Sequence, residues 1–201
     1  MKIGILISGR GSNMSALIEA AQSGEIPDSE IAVVISDKRE AAGLQRAGEK
    51  GVETLVIERR GRTRGEHDAE TISELKKRGV ELVCLAGYMR LLSGEFIAAF
   101  RNRIVNIHPS LLPAFPGLDA QRQALEYGVK FSGCTVHFVD EGLDSGAIIT
   151  QKTVPILDDD TAETLSARIL EQEHSLYVQT VALLARKSYR LEGRRVLTDL
   201  I

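Results

Sequence analysis

The run Asn106-Ile107-His108-Pro109-Ser110-Leu111-Leu112-Pro113 closes a Val/Ile-rich segment and holds the residue types best suited to chemistry. Successive side chains on a strand alternate faces, so Asn106 and His108 point to the same side. The prolines that follow break regular structure, which predicts that both groups sit at a sheet rim rather than in a core. A carboxamide can hold a carbonyl oxygen, and an imidazole can move protons near neutral pH. Together they suit acyl-type chemistry.

Three other segments could serve it. Ser8-Gly9-Arg10-Gly11-Ser12-Asn13 joins an apolar run to a helical one. Its glycines let the backbone approach a ligand, and a helix N-terminus favours an anion, so a monophosphate site is the preferred reading. The alternative is a tight turn with Ser12 or Asn13 as helix cap. A dinucleotide fingerprint is incomplete because Met14 takes the third glycine position, and no Gly-Lys-Ser/Thr follows to make a Walker A loop. Ala86-Gly87-Tyr88-Met89-Arg90-Leu91-Leu92 could line a flat apolar pocket for a heterocycle. Equally, Leu91 and Leu92 could pack in the core and Arg90 could be surface charge. Asp140-Glu141-Gly142-Leu143-Asp144-Ser145-Gly146 reads either as a solvated acidic turn or as the source of a carboxylate that stabilises His108 as imidazolium.

Of the other histidines, His67 lies on a charged helical run and is expected exposed, while His137 sits inside a strand, where a satisfied structural role is expected. His174, after Glu173 on the last helix, fits either role. No His-Glu-x-x-His or clustered Cys/His spacing occurs, so no metal is expected. Cys84 and Cys134 lie in apolar runs and read as buried thiols.

The elements that must position these groups follow from periodicity. Buried strands are expected at Lys2–Ile7, Ile31–Ile35, Thr54–Ile57, Glu81–Ala86 and Ile104–Ile107. Between them fall helices at Ser12–Ser23, Glu40–Lys50, Glu66–Arg78 and a short one at Phe96–Phe100. This βα alternation with continuous apolar strands predicts an α/β fold: a Rossmann-like parallel sheet with helices on both faces. Gly133–Val139 and Ala147–Val154 suggest antiparallel strands that extend it into a mixed sheet. Thr161–Ala185 reads as a long closing helix, with Leu165, Ile169, Leu176 and Leu183 at roughly helical spacing, and Tyr189–Leu197 as a strand pair.

At 201 residues, 43% hydrophobic and 26% charged, the chain has ordinary globular composition. Its formal net charge of -3 argues against general nucleic-acid affinity. With a strand starting at Lys2 there is no room for a signal peptide, and no apolar run approaches membrane-spanning length, so a cytoplasmic location is expected. Neither an internal repeat nor a linker interrupts the chain. Residues 1–201 are expected to form one domain, with a phosphate-binding half (1–100) and a catalytic half (101–201).

Five segments, in order, resemble the phosphoribosylglycinamide formyltransferases, folate-dependent enzymes of purine synthesis: ISGRGSN at 7–13, LAGYMRLL at 85–92, NIHPSLLPAFPG at 106–117, GCTVHFVDEGLDSG at 133–146 and EQEH at 171–174. The resemblance implies formyl transfer from 10-formyltetrahydrofolate, with Asn106, His108 and Asp144 as catalytic trio. It also implies that Gly11, Ser12 and Asn13 hold the ribonucleotide phosphate, with Glu173 nearer the ribose or glycinamide. Arg64, Met89, Arg90, Leu91, Leu92 and Asn106 would contact the folate, and Asp140, Glu141, Gly142, Leu143 and Asp144 would wrap its pterin. Partners would be small molecules, with neither nucleic acid nor membrane, and the protein a monomer or homodimer. The chain departs from the family's pattern at Leu118-Asp119-Ala120-Gln121, where glutamine replaces a histidine in what the resemblance implies is a loop.

Other readings fit less of the chain. A methionyl-tRNA formyltransferase would need a further C-terminal domain and a basic surface, and a formyltetrahydrofolate hydrolase an N-terminal regulatory one. A nucleotide-binding oxidoreductase, suggested by the fold and Asp37, leaves 106–113 unexplained, and a non-catalytic binding module leaves the trio without purpose.

Overall fold

The structure is a computed structural model that describes residues 1–187 and 189–198. The chain divides into two compact units, Met1–Asn106 and Ile107–Ile201.

In the first unit, strands β1 (Lys2–Ile7), β2 (Glu30–Ser36), β3 (Thr54–Val56), β4 (Leu82–Leu85) and β5 (Ile104–His108) alternate with helices α1 (Ser12–Ser23), α2 (Ala42–Glu49), α3 (Arg64–Lys77) and α4 (Gly94–Ala99). All adjacent pairs are parallel, in the order β3-β2-β1-β4-β5. Ile3, Ile5, Leu6 and Ile7 of β1 are fully buried, as a strand covered on both faces requires. Residues Ile107 and His108 of β5 fall beyond the unit boundary.

Helix α3 starts from a capping box in which the Thr63 hydroxyl accepts from Glu66 N–H and the Glu66 carboxylate accepts from Thr63 N–H. Its His67 is buried, contrary to the exposure expected from the charged sequence. The ring faces inward because its two nitrogens find partners there: Nε2 donates to Ile57 O at 2.7 Å, and Nδ1 lies 3.3 Å from Asp68 Oδ1. Asp68 Oδ2 in turn accepts from Ser93 N–H at 2.7 Å, at the N-cap of α4. Burial alone would raise the Asp68 pKa, but the hydrogen bonds from His67 and Ser93 bring it below the usual value.

The second unit carries α5 (Ala120–Tyr127), the antiparallel pair β6 (Phe131–Phe138) and β7 (Ile148–Pro155), α6 (Ala162–Ala185), and the strands β8 (Tyr189–Glu192) and β9 (Arg195–Thr198). Their order is β6-β7-β9-β8, with β7 and β9 parallel and β8 and β9 antiparallel. Parallel and antiparallel pairing therefore coexist, as a mixed α/β fold requires. Helix α6 packs on β6 and β7 and buries Leu165, Ile169, Leu176, Tyr177, Val181 and Leu183. Its start is held by Thr161 as N-cap and by a two-pronged ion pair, Arg168 Nη1 to Asp160 Oδ2 and Nη2 to Asp160 Oδ1, both at 2.7 Å.

Helix α5 was not expected. Its sequence, AQRQALEY, is built of good helix formers, buries Ala120 and Ala124, and ends at Gly128 in a left-handed C-cap. Gln121 thus lies in the first turn of a helix. Among the described residues no helix is long and apolar enough to cross a membrane.

The β6–β7 ladder is tight at Gly133, where a Cβ would stand 2.0 Å from Lys152 O and 2.8 Å from Leu111 Cδ2. We expect Gly133→Ala to cost about 1–3 kcal/mol by overpacking. A urea unfolding curve checks this, and an unchanged midpoint contradicts it.

Candidate active site

The loop after β1 is shaped by close backbone contact. Gly11 has φ 71°, in the left-handed region, and a Cβ there would stand 3.0 Å from the Gly43 backbone. Gly43 N–H donates to Gly9 O at 3.0 Å, which ties the loop to the start of α2. The cap of α1 is Gly11 rather than Ser12 or Asn13, and glycine brings no side chain to cap the helix. With no acidic residue in the first turn, the positive end of the α1 dipole is left for an external anion.

Ser8 couples this loop to its neighbours. Its hydroxyl donates to Asp37 Oδ1 at 2.6 Å and accepts from Met89 N–H at 3.0 Å, while its own N–H donates to Gly87 O at 3.1 Å. The segment 89–92 is therefore fixed by its backbone, and its side chains are free to face outward. Met89 and Leu91 are 63% and 56% exposed, so Leu91 is not a core residue. Arg90 keeps a buried Nη1 with no hydrogen-bond partner among the described residues. Burial holds the Tyr88 phenol far above its ordinary pKa, assisted by Asp37 and Asp68 and opposed by Arg90. Arg64 is exposed at the first turn of α3. Two exposed apolar side chains beside an unsatisfied guanidinium nitrogen suit a flat, polar-edged heterocycle.

Asn106 and His108 stand two residues apart on β5, as expected. His108, however, is buried, at 5% exposure, and does not sit at an open rim. The chain after Pro109 folds back on it: Nε2 lies 2.9 Å from Phe115 O. A carbonyl only accepts, so Nε2 carries a hydrogen. Nδ1 faces Asp144 Oδ2 at 3.4 Å, an ion-pair distance longer than a hydrogen bond. Asp144 Oδ2 also accepts from Gly117 N–H at 2.8 Å. Its residue adopts φ 48°, a left-handed conformation that aspartate tolerates better than most residues. The turn that presents Asp144 is braced by Asp140, whose Oδ1 accepts from Gly142 N–H at 3.1 Å and from the Ser145 hydroxyl at 2.5 Å. Glu141, Gly142 and Leu143 are exposed. The acidic segment is thus no merely solvated turn, since one of its carboxylates meets His108.

A second imidazole reaches the same carboxylate. His137 Nδ1 lies 2.8 Å from Phe138 O, and Nε2 lies 3.7 Å from Asp144 Oδ1. The β6–β7 register shifts between Val136 and His137, with the extra residue, Ile149, on β7. A cue lies in the sequence, because the turn-rich segment that carries Asp144 begins three residues after His137. Glu173 is buried on α6, where it and, above all, burial push the Cys134 thiol up to about 12. Among the described residues no group of three or more His, Cys, Asp or Glu is placed to hold a metal ion.

Residues 1–181 match the family model described as formyl transferase. The chain belongs to the formyl transferase family. It is 41% identical over 186 residues to the phosphoribosylglycinamide formyltransferase of Escherichia coli (strain K12), covering 92% of this chain and 87% of that protein. It is also 50% identical over 185 residues to the trifunctional purine biosynthetic protein adenosine-3 of Drosophila melanogaster, matching 91% of this chain but spanning only 14% of that longer relative. Among solved structures, glycinamide ribonucleotide transformylase 1 from Symbiobacterium toebii superposes with a TM-score of 0.97 at 52% identity, over 98% of this chain and 93% of that one.

Burial lowers the His137 pKa from the ordinary 6.5, against opposing effects of the Phe138 carbonyl and Asp144. The unfolded chain then binds a proton more readily than the folded one, so stability falls as pH drops from about 6.5 toward the folded value. We expect His137→Asn to flatten this dependence. Thermal unfolding at pH 7.5 and 5.5 measures it, and an equal loss of Tm in both proteins contradicts it.

Proposed function

We propose that this chain transfers the formyl group of 10-formyltetrahydrofolate to the amine of N1-(5-phospho-D-ribosyl)glycinamide, giving the N-formyl product and tetrahydrofolate in purine (IMP) biosynthesis. The observation that carries this reading is the buried His108–Asp144 pair two residues from Asn106, in a member of the formyl transferase family. Residues 1–201 act as one formyltransferase domain in the cytoplasm, as a monomer or homodimer, on small molecules and without nucleic acid.

In this reading Gly11, Ser12 and Asn13 receive the phosphate at the uncapped start of α1, and Glu173 serves the ribose or glycinamide end. Arg64, Met89, Arg90, Leu91, Leu92 and Asn106 contact the folate, and residues Asp140 to Asp144 wrap its pterin. The substrate amine attacks the formyl carbon, and the bond from that carbon to the folate nitrogen breaks. Between those events the formyl oxygen carries negative charge, which the Asn106 carboxamide and the Nε2–H of His108 stabilise. Asp144 balances the charge on His108, the proton lost by the amine leaves through the site, and one is returned to the departing nitrogen. Support for the phosphate site comes from the close backbone packing at Gly11, and for the folate site from the exposed Met89 and Leu91.

The test is absorbance on mixing the protein with 10-formyl-dideazafolate and glycinamide ribonucleotide. A change that requires both supports the assignment; none with either overturns it. In the same assay we expect His108→Ala to lower kcat by about 100- to 1000-fold, the loss typical of one transition-state donor. Near-normal turnover would remove His108 from the mechanism. Asp144→Asn is expected to cost about 100-fold or more, in the range of a disabled general acid.

A further inference from the structure

Asp144 has two oxygens and an imidazole at each. Oδ2 faces His108 Nδ1 at 3.4 Å and Oδ1 faces His137 Nε2 at 3.7 Å. On both rings the other nitrogen points at a backbone carbonyl, Phe115 O for His108 and Phe138 O for His137. Since carbonyls accept only, a hydrogen is committed on each of those nitrogens. Any further proton that either ring takes up must therefore enter a gap shared with Asp144. His137 follows Thr135 at the two-residue period of β6, and the register shift beside it is taken up on β7, where Ile149 is passed over between Thr150 and Ile148.

We propose that His137 is a positioning residue for formyl transfer: through Nε2 it competes with His108 for the single carboxylate of Asp144, and so limits how far into acid His108 keeps its counter-ion. The proposal rests on the role given to His108 and Asp144 above. While His137 is neutral, Asp144 serves His108 alone. Once His137 is protonated, one carboxylate lies between two cations, and its hold on His108 weakens. The groups acting on His137 are Asp144, His108 and Asp140, and its ring is 2% exposed, so bulk water does little to screen them. From α6, which packs on β6, Glu173 acts on Cys134, three residues before His137. Burial works against the charged form of His137, which keeps the competitor silent near neutral pH.

Nuclear magnetic resonance of the full chain tests this without turnover. The ring Hε1 signal of His108, assigned by its absence in His108→Asn, is followed from pH 8.5 down to pH 4.5. Two inflections are expected, the lower reporting proton uptake by His137. In His137→Asn the lower one should vanish. In Asp144→Asn, which keeps the size of the side chain and an oxygen to accept from Gly117 N–H, it should move to still lower pH, because the carboxylate that favours charged His137 is gone. A single inflection in the parent protein, or a lower inflection that survives unmoved in His137→Asn, overturns the proposal; if that variant does not fold, an unmoved lower inflection in Asp144→Asn does the same. Two coupled inflections in a protein without ribonucleotide-dependent formyl transfer would count against the proposed function and leave the coupling standing.

Discussion

A single carboxylate organises the second unit. Asp144 has a side chain only 12% exposed and takes an N–H from Gly117 at 2.8 Å with an imidazole at each oxygen. A charge so nearly removed from water is tolerable only when it is paired and hydrogen-bonded. Those requirements fix three pieces of backbone at once: the end of β5 through His108, the turn at Gly117, and the end of β6 through His137. The left-handed backbone of Asp144 and the bracing of its turn by Asp140 are what allow one side chain to reach all three. Removing the carboxylate would leave the imidazoles and the Gly117 amide with nothing to converge on.

The first unit works by a different means. At its phosphate-loop end the backbone itself is brought close. Gly11 and Gly43 touch where any side chain would separate them, and this leaves the start of α1 bare of side-chain caps. Ser8 then carries a hydrogen-bond relay from Asp37 to Met89. The relay explains why an apolar segment can stay on the surface in a defined path: its amide is anchored, so Met89 and Leu91 need not be buried to be placed. Likewise Asp68, held by His67 and Ser93, fixes the chain just after that segment. Neutralising Asp68 would weaken both contacts without touching any apolar packing.

Much of this was legible in the sequence, because the relevant signals are local. Continuous apolar runs marked β1, β2, β4 and β5, and the alternation with helical stretches implied the parallel arrangement. The Asn106/His108 spacing needed only the period of a strand. What was not legible depends on partners distant in sequence. His67 looked exposed because charge along α3 was counted without knowing that Ile57 O waits beneath it. His137 reads as merely structural because nothing within β6 itself shows that the turn beyond the strand brings Asp144 back against its ring. Helix α5 differs for another reason: the resemblance implies a loop around Gln121, whereas the segment AQRQALEY is built of helix formers. The cap of α1 fell to Gly11 because a left-handed glycine and close packing against Gly43 decided the geometry before Ser12 or Asn13 could.

In the mechanism proposed above, the partners of His108 set what its ring can give. Its Nδ1 side belongs to Asp144 and its Nε2–H points at Phe115 O, 2.9 Å away. A proton can therefore pass from His108 to a reacting atom only if Nε2–H leaves that carbonyl, since the other nitrogen faces the counter-ion. The loss is small, because a hydrogen bond of this kind contributes about 0.5–1.5 kcal/mol net. In the proposed mechanism Phe115 O is thus a placeholder: it keeps the ring's orientation and tautomer fixed, and would give way to an oxygen that carries developing negative charge. A tighter partner at Nε2 would hold His108 equally well and leave it nothing to give.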